Sequence, residues 1–130
     1  MTETSAPTPT FKIMINDEER TIKMYYGLLD AVCRACGEID GALVIALEHD
    51  LREAVLNILL AERDETGAVR KPFNPMRSEI EPDDINDLLE WAGVHAMDFF
   101  LKAAEKAKKT GGSREDRLKA LQSISTGGGD

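Results

Sequence analysis

The sequence predicts a mostly helical α+β fold: an N-terminal β-hairpin packed on a small bundle of four or so helices. Three observations carry that prediction. Apolar residues alternate with polar ones on both sides of a polar turn between Phe11 and Tyr26. They then recur at three- and four-residue steps in two later stretches, and the last of these runs without proline from Asp83 to Lys109. Period two is the mark of a half-buried strand, and period 3.6 that of a helix face.

Met1 to Thr10, rich in Thr and Pro, has nothing to bury and is expected to be a flexible arm. A single globular domain is expected over residues 11–110. Phe11, Ile13 and Ile15 alternate with Lys12 and Met14, Asn16 to Glu19 supply turn residues, and Ile22, Met24 and Tyr26 resume the alternation. Two strands alone are marginal, so they must lie on helices or pair with another chain. Leu28 to Cys36 follows as a helix with Leu28, Leu29, Val32 and Cys36 on one face, stopped by Gly37. Asp40 to Leu47 is ambiguous between a strand and a helical turn, and its apolar residues are expected inside either way. Asp50 with Glu53 reads as a helix start. Leu51, Ala54, Val55, Ile58 and Leu59 form that helix's face to about Arg63, before a break at Asp64-Glu65-Thr66-Gly67.

Val69 to Ile80, with Pro72 and Pro75, is expected as an extended connection pinned by Phe73 and Met76. Pro82 suits a first helical turn. Asp83 and Asp84 at one end and Lys102, Lys106, Lys108 and Lys109 at the other suit the helix dipole. Beyond Gly111-Gly112, Ser113 caps a short helix through about Ser123, and a Gly-rich flexible tail closes residues 111–130.

The long last helix carries the functional signal. Ile85, Leu88, Leu89, Ala92, Ala96, Phe99, Ala103 and Ala107 occupy one face, with Phe99 read as core. Trp91, Val94, Met97, Phe100 and Leu101 widen the apolar surface around the middle of the helix. Surface of that width is deeply buried or reserved for a partner, so these five are the candidate partner-binding residues. Gly93, which costs the helix about 1 kcal/mol relative to Ala, suggests close approach of another segment.

Composition narrows the function classes. A net charge of −8 argues against sequence-independent nucleic-acid binding, which needs a basic footprint. No segment is apolar enough to span a membrane and the polar N-terminus lacks a signal-peptide core, so the chain reads as cytosolic. Cys33 and Cys36 form a CxxC without the second pair a structural zinc site needs. They fall late in a helix, in phase with Leu29 and Val32, and read as packed thiols. His95 and Asp98 stand three apart, with no nucleophile or phosphate loop beside them. A histidine held at a helix–helix contact is the plainer reading. The acidic run from Glu79 to Glu90 lacks the Gly-turned pattern of a calcium loop. No catalytic or metal-binding set emerges, and no cofactor is expected.

The order of these elements resembles a known family. Ile15-Asn-Asp-Glu-Glu-Arg-Thr-Ile-Lys-Met-Tyr-Tyr-Gly-Leu-Leu29, with its helix ending at Cys36-Gly37, resembles the opening of the small tail assembly chaperones of long-tailed bacteriophages and prophages, including the gene-transfer-agent-like kind. Asp50-Leu-Arg-Glu-Ala-Val-Leu-Asn-Ile-Leu-Leu-Ala-Glu-Arg63 looks like their second helix. Leu88-Leu89-Glu-Trp91 and His95-Ala-Met-Asp-Phe-Phe-Leu101 look like their last. The similarity covers about residues 11–109 and lies in element order and loose patterns. It implies a non-enzymatic assembly factor of the host cytoplasm that binds the tape measure protein, helps bring tail tube subunits to it and is left out of the finished particle. Many such chaperones also occur in a frameshift-extended form, which would make a longer form of this chain a further partner, beside a possible homo-oligomer. A small helical adaptor or regulatory dimerisation domain using the same helix is the alternative.

Overall fold

A computed structural model describes residues 7–109 of the chain, the side chain of Lys109 excepted. Over the described residues the fold is α+β and about 57% helical, with an N-terminal two-stranded hairpin and four helices. It divides into two compact units, one through Asp98 and one from Phe99 onward. The expected short helix and tail of residues 111–130 lie outside the described residues.

In the first unit, β1 (Thr10–Ile15) pairs antiparallel with β2 (Glu18–Lys23), Phe11 opposite Ile22 and Ile15 opposite Glu18. The turn is the two residues Asn16 and Asp17, both at positive φ (52° and 66°). Asn and Asp tolerate that region, and such two-residue turns match the twist of the strands they join. Ile13 and Ile22 are buried. The alternation ends at Met24, and Tyr26 is exposed as the first residue of α1 (Tyr26–Cys36). Gly37, at φ 81°, caps α1 and donates its N–H to the Cys33 carbonyl at 2.9 Å, as the sequence predicts.

The segment left open by the sequence folds as a short helix, α2 (Ile39–Leu43), continued by turns to Glu48. Ala42 and Ile45 point inward, but Leu43, Val44 and Leu47 are exposed. The expectation that all its apolar residues are buried is therefore corrected: a helical path turns only every third or fourth side chain to the core.

α3 (His49–Leu60) starts earlier than expected. Its cap is Glu48, not Asp50, with one carboxylate oxygen accepting from the Asp50 N–H (3.2 Å) and the other from the Leu51 N–H (2.9 Å). It also ends earlier. Ala61 turns to extended backbone, and Glu62–Arg63 (β3) pairs with Val69–Lys71 (β4), a second hairpin absent from the sequence reading. Its loop is held by the Asp64 carboxylate, which accepts from Thr66 Oγ1 and from the N–H groups of Thr66 and Ala68. The Thr66 hydroxyl bond, foremost, holds the Asp64 carboxyl below the usual carboxylate range. Gly67 takes φ 90°.

Two arginines cover the end of α3. Arg20 donates to the carbonyls of Leu60 (2.8 Å) and Ala61 (3.1 Å), and Arg63 donates to Ile58 (3.2 Å). Positive charge suits a helix C-terminus, and hydrogen bonds from a charged group are among the stronger ones. Arg20→Ala is expected to cost about 1.5–3 kcal/mol, read as a lower denaturant midpoint with an unchanged m-value.

From β4 the chain passes through a 3-10 turn (Pro75–Arg77) into α4 (Pro82–Lys109), with Pro82 in the first turn as predicted. Phe73 is half-buried as expected. Met76 is 91% exposed, so it does not pin the connection. The pin is polar: Phe73 N–H donates to Asn57 Oδ1, while Asn16 and Glu79 exchange two hydrogen bonds. Buried side chains come from the first hairpin, from α1, α2 and α3, and from Leu88, Leu89, Trp91, Ala92 and Ala96 of α4. Among the described residues of the second unit, none is buried.

Candidate functional site

The expected binding face of α4 divides. Trp91 is only 8% exposed, its ring 5.5 Å from that of Phe11, and its Nε1–H donates to the Thr8 carbonyl at 2.8 Å. Its expected place among the partner-binding residues is thus corrected: Trp91 closes the core, because the chain entering β1 lies across it. His95 joins the same clasp. Its Nε2 lies 2.6 Å from the Thr8 carbonyl and its ring stands edge-on to Trp91, so its contact is with the N-terminal segment and not with another helix. Thr8 is therefore anchored, whereas the sequence suggests a free arm as far as Thr10.

Of the remaining candidates, Val94 is 44% exposed and Met97 half-buried. In the second unit Leu101 is exposed and Phe100 half-buried. Phe99, expected in the core, is 40% exposed and makes an edge-on contact with Phe100.

A run of exposed apolar residues in the first unit lies where the sequence predicts buried ones. Leu43 is 59% and Leu47 81% exposed, with Val44 beside them. Gly93 links these residues to Val94. A Cβ built there would stand 3.1 Å from the Ala42 carbonyl oxygen and 3.7 Å from Ile45 Cδ1. The missing side chain lets α2 lie against α4, so Leu43 and Val94, each adjacent in sequence to this contact, flank it. This is the close approach that Gly93 suggested. The exposed acids Glu38, Asp40, Glu48 and Asp50 border the turn segment in sequence, and Asp87 and Glu90 precede Val94 on its helical face. Arg52, the nearby cation, spends its guanidinium on the Ala46 carbonyl and on His49 Nδ1.

The one sequence signal for this cluster is spacing. Ala42 and Ile45 stand three apart, Leu43 and Leu47 four apart, so a helical path makes them two faces, both apolar.

Cys33 and Cys36 are buried free thiols. Burial, helped by the Asp30 carboxylate, raises the Cys33 thiol above its usual range. Burial, helped by Cys33, pushes Cys36 up to about 11. A reactive thiol needs the opposite shift. Because the folded value lies above the unfolded one near 9, the neutral thiol's contribution to stability is intact below about pH 9 and is lost as pH climbs toward 11. Over that window the wild-type Tm is expected to fall further than that of Cys36→Ala, measured by thermal unfolding at matched pH. No group of three or more His, Cys, Asp or Glu among the described residues is placed to hold a metal ion, and no described helix is long and apolar enough to cross a membrane.

Comparison with protein-family models, with curated proteins and with solved structures finds no match.

Proposed function

We propose that this chain is a non-enzymatic tail assembly chaperone of the long-tailed bacteriophage type. In this reading it binds the tape measure protein in the host cytoplasm, helps recruit tail tube subunits during tail morphogenesis and is left out of the mature particle. The observation that carries the reading is the exposure of Leu43, Val44 and Leu47 in one short segment of an acidic domain, with Val94 exposed next to Gly93, where α4 meets that segment. Charge keeps such a domain dispersed while its apolar surface stays available. An amphipathic client helix laid on that surface would gain about 1.5–3 kcal/mol per fully covered leucine. Repetition along a long client multiplies the hold without making any single contact strong. The resemblance in element order supports the family assignment, and the raised thiols weigh against a thiol enzyme.

Co-expression tests the proposal. The tape measure protein made with this chain is expected in the soluble fraction, and to be retained by it in a pull-down. With Leu43→Ser/Leu47→Ser/Val94→Ser it is expected in the pellet. Equal solubility with and without the chain would refute the reading. A stable dimer that covers these residues and retains no tape measure protein would instead make the chain a helical adaptor or dimerisation domain.

A further inference from the structure

A second site stands apart from the apolar cluster. The tip of the first hairpin, the end of α3 and the strap from Lys71 to Ser78 enclose a cleft of about 750 Å³, within the size range of pockets that hold small ligands. Its apolar surface comes from Ile15, Pro72, Phe73 and Pro75, and its polar rim from Arg20, Lys71 and Arg77, with Glu62 the one carboxylate. Three cations at one cleft are conspicuous in a chain of net charge −8. The side chains of Lys71 and Arg77 make no ion pair or hydrogen bond among the described residues.

The amides sharpen the chemistry. Asn16 Oδ1 already accepts from the Glu79 N–H (2.7 Å), and Asn74 Oδ1 accepts from the Met76 N–H (3.0 Å). These bonds orient both side chains and leave their Nδ2 groups as free donors. Two of the carbonyl acceptors around them are taken: that of Asn74 receives the Arg77 N–H and the Ser78 hydroxyl, and that of Leu60 receives Arg20. Arg20 spends two of its five N–H groups on α3 and keeps the rest. The cleft therefore offers donors and positive charge around an apolar floor. Pro72 and Pro75, each with fixed φ, and the Asn16–Glu79 hydrogen bonds hold the strap in place without a ligand.

The geometry points to a binding site for a short acidic peptide segment of another polypeptide, with a carboxylate set against Lys71 and Arg77 and a neighbouring apolar side chain against Phe73 and Ile15. A carboxylate only accepts hydrogen bonds, which answers the surplus of donors, and bidentate pairing with a guanidinium is its strongest form. A bare inorganic anion would gain nothing from the apolar floor.

The test uses the full chain, ¹⁵N-labelled, and two acetylated, amidated hexapeptide probes that alternate Leu with Asp or Leu with Lys. The Asp peptide is expected to shift the Asn16 and Asn74 side-chain amide signals and the Phe73 backbone amide, and the Lys peptide to leave them in place. Lys71→Glu/Arg77→Glu is expected to weaken the Asp peptide at least ~10-fold, about 1.4 kcal/mol. Both residues are exposed, and an unchanged Tm checks that the variant is folded. Equal binding to the variant, equal binding of both peptides, or shifts with inorganic phosphate but not with the Asp peptide would each overturn the assignment.

Discussion

Trp91→Ala is expected to lower the stability of the fold by about 3–5 kcal/mol, the range for removing a large buried aromatic. The indole is almost wholly covered, packs on Phe11 and ties Thr8 to α4, so the substitution leaves a cavity and loosens the entry into β1. Against a total stability of about 5–15 kcal/mol for a domain, that is a large share. Chemical denaturation followed by circular dichroism measures it, since the chain's one tryptophan is the residue removed. Trp91→Phe separates packing from the hydrogen bond. It keeps a ring in the cavity and loses the Nε1 donor, while the Thr8 carbonyl still has His95. It is expected to cost about 1 kcal/mol from that lost bond. A Trp91→Ala cost below about 1 kcal/mol would mean that the clasp does not form in solution. Loss of client binding by Trp91→Ala would accordingly report a damaged fold and not a lost contact.

Gly41→Ala is the second large effect. A Cβ at Gly41 would overlap the carbonyl oxygen of Cys36 and lie 2.9 Å from the Cys36 Cα. Both are backbone atoms and cannot rotate away. The expected cost is about 2–3 kcal/mol, within the range for forcing an extra methyl into a packed site, or a Tm drop on the order of 10–20 °C at about 4–8 °C per kcal/mol. The displaced element is α2, so exposure of Leu43 and Leu47 should change with it, which amide hydrogen exchange over residues 39–48 would read. Gly93→Ala is the informative contrast. Its Cβ meets the Ala42 oxygen at 3.1 Å, a strain that a shift of a few tenths of an ångström relieves. The helix gains about 1 kcal/mol in propensity. Stability within about 1 kcal/mol of wild type is expected there. A Gly41→Ala variant as stable as Gly93→Ala would contradict the packing described for α2.

What was legible in the sequence was local. The alternation through Phe11–Ile15, Gly37 after α1 and Pro82 opening α4 each depend on residues a few positions apart, and each stands where it was predicted, while of the four expected turn residues Asn16 and Asp17 form the turn and Glu18 and Glu19 already belong to β2. What was missed depends on partners far away in the chain. α3 ends at Leu60 because Arg20, forty residues earlier, claims the carbonyls of Leu60 and Ala61, and because Glu62 and Arg63 find β4. Trp91 reads as a flank residue on a helical wheel, since nothing nearby announces that Thr8 and Phe11 cover it. The site was legible as a quantity but not as a place. Surplus apolar surface was expected on α4, and Val94, Phe99 and Leu101 carry part of it. A further part, at Leu43 and Leu47, lies in a stretch whose two apolar faces look alike until Gly93 fixes which of them meets α4.

Calorimetric titration of the chain with a tape measure helix tests the docking claim most directly, run beside Leu43→Ser/Leu47→Ser/Val94→Ser. All three side chains are substantially exposed, so the variant should keep its Tm; exposed positions away from special contacts usually change stability by no more than about 0.5 kcal/mol each. Expected is affinity weakened on the order of 100-fold, about 2.7 kcal/mol, at unchanged stability. Wild-type affinity in a folded triple variant would contradict the assignment of this surface to the client.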